Sequence, residues 1–390
     1  MPLVSKTFSE IITFTRASTA TYYNAAGALT SAAIDEPRLD YNPSTLAAQG
    51  LLIEESRANR LLQSADFTTT WGQVNITTTA NTTASPDGGT NGDTLLINSA
   101  GASTGQISQS FTAGSTITVS VFAKKNASDF LRVELGNLCS CWFNLNTGAT
   151  ASNNAGSGNV LFSSKSIQAI SGGWYRCVLT VTTTTITTLL ASLYATNTDG
   201  VTSSVSSSIF LWGAQLEVGA FATSYIPTTT IALTRAADVA SVNTLSPWYN
   251  ASEGTLYCES VSNASSVDST NLALSDGTNN NRIQFGTGAA NTVWNPFVVV
   301  SGSSVATLTQ SASFSPKTSA KLALAYKFDD FAATTAGASP VTDTSGAVPT
   351  LNILRIGASG SGVVTWNSWI RRVTYYPRKL SSAELQAITA

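Results

Sequence analysis

A chain of 390 residues with 43% hydrophobic side chains is long enough for two or three cores. Only 11% of the residues are charged, the net charge is −2 and histidine is absent. That excludes histidine-activated nucleophiles and histidine-containing zinc sites, and it argues against nucleic acid or anionic lipid as a partner, since both need clustered Lys and Arg.

The opening, MPLVSKTFSEIITF, has no apolar region followed by a small-residue cleavage site, so no secretory signal is expected. No run of about 18 or more apolar residues is present, so no membrane insertion is expected either. Residues 1–62 hold short pieces: a turn at Asn24–Gly27, an extended Pro37–Tyr41 and an apolar Gly50–Ile53. Such pieces bury little alone and need a partner surface, from the neighbouring domain or from another chain.

Residues 63–232 read as many short strands separated by Gly, Asn and Ser, the pattern of a β-sandwich. Threonine runs at 77–79 and 182–185 read as strand ends or edges, because Thr favours extended backbone. Along 174–181, alternation sends Tyr175, Cys177, Leu179 and Val181 to one face and Trp174, Arg176, Val178 and Thr180 to the other. The first face is core; the mixed second face is expected to be concave and exposed. The stretch 210–230 is a joint, in which an apolar last strand gives way to Tyr225-Ile226-Pro227, and proline ends the ladder. Trp212 is expected to pack at this boundary. The linker's Thr234-Arg235-Ala236-Ala237-Asp238 faintly echoes Thr15-Arg16-Ala17-Ser18.

Residues 240–390 repeat the strand pattern and predict a second sandwich. Ser381 with Glu384 three residues later forms a capping box that predicts a short terminal helix. The fold class is therefore all-β, with two antiparallel sandwiches after a short N-terminal segment. Cys139 and Cys141 share one strand face while Cys177 and Cys258 are isolated, so the four are expected to be small buried thiols rather than a disulfide or zinc framework.

Several stretches resemble a known group. FTRASTATYYNAAGALTSAAIDEPRLDY, GLLIEESRAN and LLQSADF are similar to the N-terminal segment of tail-fibre and head-spike-type proteins of tailed bacteriophages and gene transfer agents. SPDGGTNGDTLL, SVFAKKNASDFLRV, WFNLNTGA, GWYRCVLTVT and FLWGAQLEVGAFATSYIPT resemble a carbohydrate-binding-module-like jelly roll. GTLYCES, LALSDGTNNNRIQF, KLALAYKFDD, LRIGAS and WIRRVTYYPRKLSSAELQAIT resemble concanavalin-like or laminin-G-like sandwiches. The resemblance implies a fibre or spike on the virion surface, made in the bacterial cytoplasm, that holds host cell-surface polysaccharide. It implies an N-terminal virion-attachment and oligomerisation segment at 1–62, a jelly roll at 63–232 and a laminin-G-like domain at 240–390. Other virion proteins would be met through residues 1–62, and a homo-oligomer, with a trimer favoured, would turn weak sugar contacts into avidity.

Sugar binding calls for aromatic faces ringed by amides and charges. On the mixed face of the first sandwich the candidates are Lys124, Trp142, Trp174, Arg176, Tyr194 and Gln215; Trp294, Trp366 and Trp369 are alternatives in the second. Asp87 and Asp93, in the turn Pro86–Gly89 and just after it, are candidate ligands of a structural calcium ion, though Pro-Asp-Gly is equally a plain turn. The adjacent carboxylates Asp35-Glu36, Glu54-Glu55 and Asp329-Asp330 point to opposite faces of extended chain, so none makes the facing pair of a glycosidase and no enzyme is expected. A purely structural virion role stands as the alternative, with a depolymerase behind it.

Overall fold

A computed structural model of the chain describes residues 6–98, 106–113, 115–185, 187–202, 204, 206–261, 269–287, 293–311, 317–363 and 366–390. Its strands assemble into two antiparallel β-sandwiches, as the strand pattern predicts. One face of each strand carries the core residues. In the first sandwich Ile117, Val119, Val121 and Ala123 meet Cys177, Leu179 and Val181 on a seven-stranded sheet. Across from them Leu131, Val133, Cys141, Phe143 and Leu193 line a six-stranded sheet. Burying a single Leu or Val of this kind is worth about 1.5–3 kcal/mol, so the shared core dominates the module's stability.

The alternation expected along the last jelly-roll strand, Ser208–Val218, shifts part-way. Gly213 adopts a φ of 60°, and the register against Thr116–Lys125 slips between Ser120 and Phe122. A Cβ at Gly213 would lie 2.8 Å from the Phe122 ring, so glycine suits both the backbone and the packing there. The bulge turns Ala214 and Leu216 into the core and sends Gln215 and Glu217 to the outer face.

The second sandwich is not made of residues 240–390 alone. Its two seven-stranded sheets each take strands from the N-terminal segment. Thr13–Thr15 pairs with Val239–Val242, and Ala48–Ile53 pairs with Ser368–Tyr376 while itself pairing with Leu39–Tyr41. Phe14, Leu51 and Ile53 lie in the same core as Leu256, Leu272, Leu324 and Ile356. Residues 1–62, expected to stand as a segment of their own, thus supply three strands that the C-terminal sheets lack. The physical reason is the one anticipated for short apolar pieces: they need a partner surface, and the partner is this chain's own second module.

A remaining N-terminal piece, the hairpin of Ala20–Tyr23 and Leu29–Ala32, crosses to the first sandwich. With Tyr225 of the connector it covers that sandwich's outer face, where Tyr23, Leu29, Phe122, Ile170, Trp174, Trp212 and Tyr225 cluster. Trp212 packs on Phe122 and Tyr225 at centroid distances of 5.2 and 4.8 Å, the boundary role expected of it. The terminal helix, Ser382–Thr389, carries its capping box: the Ser381 hydroxyl accepts from the Glu384 N–H, and the Glu384 carboxylate accepts from the Ser381 N–H. A further short helix, Phe8–Ile11, is capped in the same way by Thr7 and Glu10 and had no counterpart in the sequence reading.

Where the segment, the connector and the second sandwich meet, five charged side chains are buried together. Arg38 donates to Glu54 at 2.8 Å, to Asp238 at 2.5 Å and to the Ser224 hydroxyl at 2.8 Å. Arg16 donates to Asp238 at 3.2 Å and to the Ala33 carbonyl at 2.6 Å, and Arg235 to the Glu55 carbonyl at 2.7 Å. The side chains of Arg16, Arg38 and Asp238 are fully buried. The echoed Thr-Arg-Ala stretches of the sequence therefore each deliver one arginine to the same knot.

Candidate functional site

The six expected sugar contacts fall into two groups, and the structure covers both. Trp174, Arg176 and Gln215 share the outer face of the seven-stranded sheet, with Lys124 at its end opposite Trp174 in register. That face, expected to be exposed, lies beneath the hairpin and connector. Trp174 is 2% exposed and donates its indole N–H to the Ala84 carbonyl at 2.9 Å. Gln215 is fully buried and accepts from the Ile226 N–H at 2.6 Å. Both are packing and tethering residues out of a ligand's reach. Lys124 stays partly exposed.

Trp142 and Tyr194 come together on the outer face of the other sheet, around an arginine that the sequence reading missed. The Arg132 guanidinium lies 5.3 Å from the Trp142 ring centroid and 4.3 Å from that of Tyr194, and it is ion-paired to Glu134. The Tyr194 hydroxyl donates to Glu134 at 2.7 Å. Residues 197–202 fold over the group, for the Trp142 indole N–H donates to the Val201 carbonyl at 2.7 Å and Arg132 reaches the Thr202 carbonyl at 3.4 Å. Trp142 is left 7% and Tyr194 2% exposed. This is a closed cage rather than an open platform.

Asp93 gives one oxygen to the Phe67 N–H at 2.8 Å and the other to the Asn81 N–H at 2.9 Å. Asp87 accepts from the Ser85 hydroxyl and from the Gly89 N–H at 3.0 Å. Protein donors thus meet both candidate calcium ligands, and no group of three or more His, Cys, Asp or Glu suited to a metal stands among the described residues. All four cysteines are free and buried.

Between the outward faces of the two sandwiches lies a cleft of about 490 Å³, within the range of ordinary ligand sites. Four partly exposed aromatic rings line it: Tyr22 and Tyr41 from the N-terminal segment, Phe221 from the connector and Trp369 from the second sandwich. Amides stand between them at Asn42, Gln49, Gln168 and Asn367, and Arg176 and Lys317 add positive charge. Of the earlier candidates, Arg176 and the alternative Trp369 belong to this cleft. Trp294 and Trp366 do not, being stacked on each other at 5.5 Å within the second core.

Three wall residues, Trp369, Asp40 and Glu54, are held in place by specific contacts. The Trp369 indole N–H donates to Asp40 at 2.8 Å, and the other Asp40 oxygen accepts from the Tyr23 N–H at 2.7 Å. Burial pushes the Asp40 carboxyl up to about 6, against the pull of these two donors. Glu54 goes the other way. Burial would raise it, but the Arg235 and Arg38 charges and the Ser224 hydrogen bonds outweigh burial and hold it at about 2. Two carboxyls driven apart in one cleft resemble an acid–base pair, yet every Asp40 and Glu54 oxygen already accepts a protein hydrogen bond. The cleft can stack on rings and hydrogen-bond hydroxyls, and protein donors hold both of these carboxyls in place.

No protein-family model matches the sequence, and no curated protein matches it. Solved structures similar to parts of the chain include the CBM40 of a Ruminococcus gnavus IT-sialidase, at 16% identity and a TM-score of 0.32 over 36% of this chain and 84% of that one. A heptameric SAP-like pentraxin from Limulus polyphemus is similar at 12% identity and a TM-score of 0.29, over 38% and 79% of the two chains. Domains LG4-5 of the mouse laminin α1 chain give 12% identity and a TM-score of 0.29 over 88% and 92%. At such scores the likenesses carry no ligand over to this chain.

Proposed function

We propose that the chain is a virion fibre or spike component that holds host-surface glycan in the cleft between its two sandwiches, without cleaving it. The observation that carries this reading is the lining of the cleft: Tyr22, Tyr41, Phe221 and Trp369 offer partly exposed ring faces beside four amides. Rings cover the C–H face of a pyranose while amides meet its hydroxyls. The virion context rests on the sequence resemblance of residues 1–62 and of the block order. Ile11, Ile34, Leu39 and Leu46 of that segment are exposed, which suits contacts with other virion proteins or with further copies in a trimer.

Incubation of the full chain with host polysaccharide, scored for bound protein and for chain length, tests the reading. Binding with unchanged chain length is expected, and Tyr41→Ala or Trp369→Ala should weaken it in a chain that still folds. New reducing ends would favour a depolymerase. Absence of binding to any host cell or polysaccharide would leave the purely structural virion role.

A further inference from the structure

The positive charge of the cleft points beyond neutral sugar. Arg176 lines the floor and is 9% exposed. Its Nη2 donates to the Ser120 hydroxyl at 3.0 Å and to the Thr223 carbonyl at 2.7 Å, while its Nε–H is buried without a hydrogen-bond partner, as are those of Arg38, Arg132 and Arg235. Among the described residues no carboxylate forms an ion pair with it. Glu217, in the same network, is reached only through Thr223, whose N–H donates to Glu217 at 3.0 Å.

Buried arginines elsewhere in this chain are treated differently. Arg38 and Arg16 meet Asp238, and Arg132 meets Glu134. A buried cation without a counter-charge is costly, and a ligand anion relieves that cost.

Lys317 also lines the cleft, with its side chain exposed, and it has no ion pair among the described residues. Partial desolvation and the Arg176 charge both hold its ammonium below the ordinary lysine value, so the two cations sense each other. The other charged groups on the walls are already engaged. Glu54 is claimed by Arg38, Asp40 by Tyr23 and Trp369, and the Lys165 ammonium by Asn153 at 2.9 Å. On a chain whose net charge is −2, the free charge facing this space is positive.

We infer that the cleft selects glycans bearing a carboxylate, with Arg176 and Lys317 as the residues that receive the anionic group and the aromatic rings as the residues that receive the sugar face. This rests on the glycan reading above and narrows it to acidic polysaccharide. With Nη2 held by Ser120 and Thr223, the Arg176 guanidinium meets a carboxylate oxygen through Nη1, and Lys317 adds a movable point charge at the mouth.

The test applies the full chain to a printed array of acidic and neutral bacterial polysaccharides, with sulfated dextran as a second anion. Carboxylated glycans should dominate the hits, and binding should fall steeply in about 1 M salt, where the screening length is roughly 3 Å. Lys317→Gln, at an exposed position that leaves the core untouched, should weaken acidic hits roughly fivefold while sparing any neutral ones. Arg176→Gln should abolish them, and its circular dichroism and melting curve separate that loss from unfolding. Hits confined to neutral glycans, or acidic hits indifferent to both salt and Lys317→Gln, would overturn the selectivity while leaving glycan binding intact. Equal binding of sulfated dextran would overturn carboxylate selectivity in favour of general anion attraction. An array with no hits would overturn the glycan reading itself.

Discussion

Replacing Asp238 by Asn changes one oxygen to an amide and keeps the volume, yet it should be among the most damaging single changes available. Asp238 is fully buried and accepts from Arg16 at 3.2 Å, from Arg38 at 2.5 Å and from the Glu54 N–H at 2.8 Å. Removing its charge leaves three buried arginines facing Glu54 alone, and breaking a buried pair in this way costs about 3–5 kcal/mol. The behaviour of Glu54 gives a similar scale. Its fall from 4.5 to about 2 on folding corresponds to about 3 kcal/mol, since a tenfold change in proton affinity is worth about 1.4 kcal/mol. Urea unfolding followed by tryptophan fluorescence and by far-ultraviolet circular dichroism measures the loss. Because the knot joins the N-terminal segment to the second sandwich, proteolysis of Asp238→Asn should begin within residues 1–62. A loss below about 1 kcal/mol, the worth of a solvent-exposed pair, would refute the view that this knot fastens the chain.

Trp174→Ala should cost about 3–5 kcal/mol of stability, because Trp174 is buried under the hairpin, and a melting curve checks it against the smaller loss expected of a sugar contact. Trp369→Ala should lower glycan affinity roughly tenfold by calorimetric titration and cost about 1–3 kcal/mol of stability, since the buried Asp40 loses its indole donor. The pH dependence has two opposite parts. Glu54 is depressed on folding, so its stabilisation is complete above its ordinary value of 4.5 and is lost as pH falls through about 2. Asp40 is raised, so its contribution is complete below its ordinary 3.8 and is lost as pH rises through about 6; Asp40→Asn should flatten the urea midpoint between those two pH values. Burial raises the Cys139 thiol to about 11 and the Cys258 thiol to about 12, and Cys141 and Cys177 move the same way. Maleimide should therefore leave the native chain unlabelled and react with all four cysteines in denaturant.

Period-two alternation carried the strands of both sandwiches, the faces of Trp174–Thr183 and the burial of the cysteines, because those depend on neighbours one or two residues away. Where the bulge at Gly213 intervened, the alternation failed and Gln215 was placed on a face whose cover was not foreseen. Exposure of that face could not be read locally, since the hairpin at 20–32 that hides it comes from far earlier in the chain. The cleft was half legible. Trp369 and Arg176 were recognised as aromatic and cationic candidates, but Tyr22 and Tyr41 sat in a segment assigned to attachment, and nothing in their spacing says which module they face. Arg132 was missed although Arg132 and Glu134 alternate with Leu131, Val133 and Leu135, because that alternation says which face they share and not that Trp142 and Tyr194 of other strands meet them there. The repeated Thr-Arg-Ala was visible as a pattern, and its meaning emerged only when both copies met at Asp238.

The pairing of Ile53 with Ser368 and of Thr13 with Ser241 makes the jelly roll an insertion inside the second sandwich rather than a bead preceding it. A strand synthesised early must wait, unpaired and apolar, for partners more than two hundred residues downstream. Such long-range closure is slow, whereas the jelly roll between the two ends can form as soon as its own strands leave the ribosome. The same arrangement sends any pull on the early strands into the sheet that bears Trp369, so tension applied there reaches one wall of the cleft without passing through the jelly roll.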